Sequence, residues 1–449
     1  MHYRIAKILV LLVCALGALS PAMSLPASPA WAQMAAGTIA YTSATTGDEI
    51  RLINADGTND RRIWAHGLPD PHEAYHIYNM AWRPDGNELA FASTHENWCS
   101  INYSDVFSVA PDGSRYRRIS QAPACGALAG YPKGSVQIPV SNNSVFGSSF
   151  TGFVYFQGAP SVQQVSLPAG GSTILTFHNV ADFGAEFLQV AAFIDGANRQ
   201  YDVSTAVDVQ AGGTVRTATL SVYPPNNNGL EPRSPTWRND GARLGYAYGY
   251  RSLYGITANP DPVEFGRPLI HSSTGPSFVE YMAYGPTLAQ ANQILYQGYG
   301  DGDSIYLVTE GSMSDGEILV SSEVGFFRGL AWLPDGSGFV YALEEYEEYE
   351  LTRANLFAYS FAAQQSTRLT NFASAFAGQL SVSPDGEQIV FEYTASRDET
   401  ATTDLWLVNR DGSNPHLLVA NGSAPAWQPN VQQQQPTTRS IVNIPLIQR

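Results

Sequence analysis

Lysine is almost missing from this 449-residue chain. Lys7 and Lys133 are the only ones, which nearly excludes chemistry that needs a lysine nucleophile. Cations as a class are scarce: 24 Lys and Arg stand against 40 Asp and Glu, for a formal net charge of −16. Such a surface repels a phosphate backbone, so nucleic acid is not an expected partner. There are three cysteines and no C-x-x-C pair, G-x-S-x-G elbow or glycine-rich phosphate loop. Beyond the first residues no apolar run approaches the roughly 18 residues of a membrane-spanning helix, and none is expected to span.

What is present begins with a leader. Arg4 and Lys7 frame the start of an apolar run from Ile8 to Leu19, and Ala30-Trp31-Ala32 supplies an A-x-A cleavage site before Gln33. Residues 1–32 are therefore expected to be a signal peptide cleaved near Ala32, and the mature protein to be exported, whether periplasmic, at the cell surface or secreted. Its charge is two units more negative once Arg4 and Lys7 are gone. Cys14 lies inside the apolar run without small residues just before it, so no lipid anchor is expected.

Four segments read alike: Ala81-Trp-Arg-Pro-Asp-Gly86, Thr236-Trp-Arg-Asn-Asp-Gly241, Ala331-Trp-Leu-Pro-Asp-Gly336 and Ser381-Val-Ser-Pro-Asp-Gly386. Each runs into an alternating apolar segment, and the spacing suits a four-stranded propeller blade. Proline pre-sets the first turn position, Asp can bond its own backbone, and Gly takes the positive φ that re-aligns the strands. The Asp-Gly pairs are thus hairpin requirements rather than calcium ligands. The recurring Trp82, Trp237, Trp332 and Trp427 read as inter-blade packing.

The expected fold is all-β, a six-bladed β-propeller closed by its N- and C-terminal strands, with an inserted β-sandwich. Blades one and two occupy 37–133, and blades three to six with the closing strand occupy 230–429. Thr38–Ser43, Glu49–Asn54 and Arg61–Trp64 supply three strands of blade one, and Ala424–Gln428 supplies the missing inner one, which removes the edges an open array would expose. Residues 134–223 lack the repeat yet alternate as short strands, which suits a small sandwich. The remaining 430–449 are a Gln-rich tail with an apolar stretch, Ile441–Ile447. Cys99 and Cys125 fall in loops on one side of blade two and are expected to form a disulfide.

The pattern Trp-x-Pro-Asp-Gly-x-x-hydrophobic-Ala-Phe, followed by a strand ending in Asp-Gly-Ser/Thr, resembles the TolB-type propeller repeat. Trp82–Ala92 with Val106–Ile119, and Ser383–Phe391 with Leu405–Leu418, carry the resemblance, which spans about 290 residues. It implies fold more than activity, since such propellers bind partner proteins, gate peptidases or carry lyase sites. The small α/β domain that precedes the TolB propeller is lacking. The insert is weakly similar to prealbumin-like, carboxypeptidase-regulatory sandwiches through Val154–Pro160 and Phe187–Gly196.

Function is expected on the loops between the second and third strands of each blade, held by the rigid sheets. They are acidic and tyrosine-rich, and the most charged is Glu344-Glu-Tyr-Glu-Glu-Tyr-Glu350. Tyr250, Asp301, Asp303, Glu345, Tyr346, Glu348 and Tyr349 form the candidate binding face for a cationic or hydroxyl-rich ligand, set against a plain solvated loop. The expected role is non-catalytic binding of a protein or surface glycan, without a cofactor. The alternative is an enzyme, either a polysaccharide lyase or a metal-dependent hydrolase. His72-Glu73-Ala74-Tyr75-His76 fits H-E-x-x-H, and His95 lies in a loop on the same face as a possible third ligand to a divalent metal. Under two turns of helix fit before the next strand, so a hydrogen-bonded connector or a non-catalytic metal is the preferred reading.

Overall fold

The computed structural model describes residues 37–429 apart from 44–48, 67–76, 97–103, 121–124, 144–148, 185–188, 190, 196–199, 204–206, 222–231, 249–252, 258–266, 271–277, 300–301, 349 and 398–400. Six four-stranded antiparallel blades are present. Their inner strands are Gly422–Trp427, Ile77–Trp82, Pro232–Trp237, Phe278–Tyr284, Phe327–Trp332 and Phe376–Val382 for blades one to six. A single bridge, Ala354 to Phe376, joins the sheets of blades five and six.

Blade one is assembled from both ends of the described chain. Thr38–Ser43 pairs with Glu49–Asn54 on one side and with Gly422–Trp427 on the other, with Ile39 opposite Trp427 and Ala40 opposite Ala426. Apolar packing follows the same circuit, because every neighbouring pair of blades shares a hydrophobic cluster. Val390 and Leu405 of blade six pack with Ile39 and Trp427 of blade one, whose other face, through Ala40 and Ala426, meets Phe91 and Phe107 of blade two. Four more clusters join two to three, three to four, four to five and five to six.

The repeated residues do what their chemistry suggests. All four tryptophans are buried. The Trp82 indole donates to the Ala426 carbonyl of blade one at 3.1 Å, and the Trp332 indole to Ala283 of blade four at 3.0 Å. These two rings thereby fasten their blades to the preceding ones with their N–H groups satisfied, whereas the Trp237 and Trp427 N–H groups have no hydrogen-bond partner among the described residues. In the turns, Gly86, Gly241, Gly336 and Gly386 all take positive φ, and the preceding Asp accepts the N–H two residues on, as Asp335 does from Ser337 at 2.9 Å. Serine hydroxyls and these N–H groups hold the Asp335, Asp112 and Asp411 carboxyls below the usual range.

The insert is two four-stranded sheets around one core. Val136, Ile138 and Phe177 of one sheet pack with Val154, Phe156 and Val165 of the other. Two features depart from the sequence expectation. Lys133–Ser141, not expected as a strand, is the centre of its sheet and pairs with Ser172–Ala181. Pro139 obscured it, since a residue without an N–H argues against a central strand. The structure accommodates it where the partner strand breaks: Thr214–Arg216 pairs as far as Gln137, and Leu220–Ser221 resumes at Val140. Residues 207–210, within the alternating 134–223, carry one bridge only, Gln189 to Val207. Cys99 lies outside the described residues, and with it the expected disulfide; Cys125 opens a short 3-10 helix, Cys125–Gly130. No helix among the described residues is long and apolar enough to cross a membrane.

Candidate functional site

The inner strands share a defect that places the site. Each breaks register with its neighbour, with residues 78–79 inserted in blade two, 234–235 in three, 280–281 in four, 328 in five, 378–379 in six and 424–425 in one. A bulge bends the strand and redirects a side chain. Ser234 and Ala424 hold φ of 48° and 50° there, a conformation costly for residues with a Cβ. Residues at these breaks and just beyond them line a narrow axial cavity of about 70 Å³ to which all six blades contribute, through Asn79, Ser234, Tyr281, Gly329, Gln379 and Pro425.

The position four residues before the tryptophan, or its equivalent, is Tyr78, Arg233, Glu280, Arg328, Gly378 and Ser423 in blades two to six and one. Successive members interact. The Arg233 guanidinium lies 5.3 Å from the Tyr78 ring centre, and the Glu280 carboxylate feels both Arg328 and Arg233. Arg328 Nε donates to Glu344 Oε1 at 2.8 Å. At Gly378 a Cβ would stand 2.6 Å from Glu392 Oε2, so the glycine leaves room for a carboxylate from the adjacent strand. Glu392 accepts the Ala424 N–H at 2.7 Å and the Gln379 N–H at 3.2 Å.

Beside this ring opens a cavity of about 520 Å³, with Tyr281, Arg328, Glu344, Phe376, Glu392 and Arg397 among its walls. Its described lining comes from blades four, five and six, on the face where second and third strands connect. The volume is that of a small-ligand site. Burial raises the carboxyl pKa of Glu280 and, against its two N–H bonds, of Glu392. Burial also raises the Tyr281 hydroxyl. It works against the Arg328 charge, but Glu344 outweighs it and the guanidinium sits above its usual pKa. Neither Glu280 nor Glu392 has a salt-bridge partner among the described residues.

Of the residues named from sequence, the described ones, Asp303, Glu345, Tyr346, Glu348 and His95, are not among those lining this cavity. The loop expected at Glu344–Glu350 is instead the end of a long hairpin, Gly338–Glu347 paired with Glu350–Ser360. Its acidity is largely neutralised. Glu345 contacts Arg353 Nε at 2.6 Å and also Arg368, Glu347 contacts Arg353 at 2.6 Å, and the Tyr346 hydroxyl donates to Glu344 at 3.3 Å. The arginines come from other strands, which a reading of the acidic run alone does not reach. Glu348 is exposed in the turn with φ of 52°. Tyr250, Asp301 and Tyr349 lie outside the described residues, as do His72 and His76.

His95 is buried. Its Nδ1 is 2.9 Å from Ser93 Oγ and its Nε2 2.7 Å from the Tyr116 hydroxyl, so both ring nitrogens are engaged within the protein. Burial, with Arg118 and His66 nearby, pushes its pKa well below the ordinary value and keeps the ring neutral. Among the described residues no group of three or more His, Cys, Asp or Glu is arranged to hold a metal ion.

Asp303 is likewise buried, accepting from Gln297 Nε2 at 2.5 Å and from the Phe327 N–H at 2.7 Å. Its place is the seam between blades four and five. Burial exceeds the effect of these hydrogen bonds and pushes its pKa up to about 6. The folded form therefore holds the proton more tightly than the unfolded chain. Its contribution to stability is complete below pH 3.8 and is lost as pH rises through about 6. Denaturant midpoints of the wild type and Asp303→Asn, measured from about pH 4 to about pH 7.5, should diverge in slope across that window. Parallel curves would refute the assignment.

No protein-family model and no curated protein matches the chain in sequence. Solved structures similar in fold include the nidogen/laminin complex, at 8% identity and a TM-score of 0.44, covering 87% of this chain and 98% of that one. An oligogalacturonate lyase in complex with manganese is similar at 13% identity and a TM-score of 0.35, covering 86% of each chain. A proposed 6-phosphogluconolactonase from Bacteroides uniformis is similar at 10% identity and a TM-score of 0.38, covering 85% of this chain and 94% of that one. The lyase and the lactonase have propeller-type folds.

Proposed function

We propose that this chain is an exported recognition propeller of the TolB type that binds a protein or a surface glycan without catalysing a reaction, and that the ligand enters at the axial mouth. The observation that carries the proposal is the set of inner-strand bulges at the axis, beside which the positions that differ from blade to blade include Arg328 and Gly378 in the wall of a cavity of about 520 Å³. Rigid sheets presenting variable positions are the general design of a binding scaffold. Export rests on the basic residues, apolar run and A-x-A site of the leader.

Arg397 is the residue to test, because its side chain is 58% exposed and its contact with Glu344 is long at 3.7 Å. Folding should survive its replacement. Immobilised wild-type protein, presented in parallel with solubilised envelope proteins and with surface glycans, should retain a partner that Arg397→Glu retains at least about tenfold less well. Equal retention by both proteins would remove the mouth from the binding surface, and turnover of a glycan or peptide by the wild type would replace binding with catalysis.

A further inference from the structure

Both faces of Glu344 lead to an arginine laid on an aromatic ring. The Arg328 guanidinium lies 5.6 Å from the ring centre of Phe326, and the Arg397 guanidinium 5.7 Å from that of Phe376. Both reach Glu344, at 2.8 and 3.7 Å. Phe326 in turn meets Tyr299 at 5.6 Å between ring centres. Tyr299 is 42% and Phe326 37% exposed, an open aromatic pair on the same face as the cavity. The sequence of surfaces is thus ring pair, guanidinium, carboxylate, guanidinium, ring.

Among the described residues, charge on the cavity wall is balanced. Arg328 and Arg397 stand with Glu344 and Glu392, with Arg233 acting on Glu280 beside them, inside a chain whose formal net charge is −16. A cation entering here meets the arginines, and an anion meets the carboxylates, so neither gains a field that favours it. A neutral molecule rich in hydroxyls meets both signs usefully, since each hydroxyl donates to a carboxylate oxygen and accepts from a guanidinium N–H.

Resting on the binding role just proposed, we infer that the mouth takes a neutral oligosaccharide, with sugar rings laid on Tyr299 and Phe326 and hydroxyl groups shared between Glu344 and its two arginines. The aromatic pair supplies flat apolar area for the C–H faces of the sugar, and the cavity behind it holds the more polar edge. A protein partner is the other occupant the test must separate.

Calorimetric titration would use neutral oligomers of glucose, mannose and N-acetylglucosamine, with oligogalacturonate and chitosan oligomers as anionic and cationic comparators. A neutral oligomer should bind, and its affinity should change by less than about twofold between about 50 mM and about 500 mM NaCl. Tyr299→Ala, Phe326→Ala and Arg397→Ala should each weaken it by about tenfold with the melting temperature unchanged. Preference for a charged comparator, or no neutral binding at all, overturns the saccharide assignment. If Arg397→Glu still loses an envelope protein in that case, the mouth serves a protein and the binding role stands. If the replacement changes nothing in either assay, both fall.

Discussion

A chain ending at Asn421, and so lacking Gly422–Trp427 together with the tail, is expected to elute as aggregate and to show no cooperative thermal transition. The deleted strand is the innermost of blade one and pairs along Thr38–Ser43. It also supplies Trp427 to the core shared with blade six and Ala424 and Ala426 to the core shared with blade two. Its loss opens two inter-blade cores and exposes the unpaired edge of a strand whose central residues, Ile39 to Thr42, are buried in the intact protein. Circular dichroism melting and size-exclusion chromatography read the result. A monomer melting within a few degrees of the full chain would show that the ring does not depend on its closure. A synthetic peptide carrying residues 422–429 should restore solubility when present during refolding, because strand addition to an open edge needs only backbone complementarity and the right side-chain register.

The second large effect lies inside blade two. The Arg118 side chain is 0% exposed and its partners Glu96 and Asp105 are each 2% exposed. Arg118 reaches Glu96 at 2.8 Å and Asp105 at 3.7 Å, while the Tyr116 hydroxyl donates to Glu96 at 3.0 Å. Removing the guanidinium takes this counter-charge from two buried carboxylates, which keep hydroxyl partners in Tyr116 and Ser120, beside Phe107 and the neutral His95. Arg118→Met should therefore cost about 3–5 kcal/mol, whereas Arg410→Met, which breaks an exposed contact of 3.7 Å with Asp335, should cost less than about 1 kcal/mol. Urea denaturation of the three proteins gives the comparison. A loss under about 1 kcal/mol at neutral pH would mean that the charge cluster is not what holds this corner together.

Much of the ring was legible because its signals are local. Asp-Gly marks a turn through the φ that only glycine takes cheaply, and a tryptophan four residues before such a glycine marks the inner strand. The pairing of 38–43 with 422–427 followed from counting strands, since one blade lacked an inner strand and one strand lacked a blade. Pro139 concealed a central strand because the compensating gap belongs to its partners, about 80 residues further on. The mouth was hidden for a similar reason. Glu344 sits in a run that announces its acidity, but Arg328 enters from another strand and Arg397 from the loop after Gln388–Thr394, and the Glu392 carboxylate is placed by the absence of a side chain at Gly378. A signal existed in the position four residues before each tryptophan or its equivalent, where tyrosine, arginine and, before Tyr284, glutamate replace the apolar residues expected of a buried strand.

The inner-strand bulges uncouple two demands that a sheet ordinarily imposes together. In an unbroken ladder every second residue is committed to the core, and changing it disturbs packing. Where two residues face one, a side chain is released from that alternation while the strands on either side keep their register. Around a six-fold circuit this yields half a dozen addresses that substitution can rewrite separately, so the chemistry met by an arriving molecule can drift from one descendant of this scaffold to another while the tryptophans, turns and closing strand stay as they are.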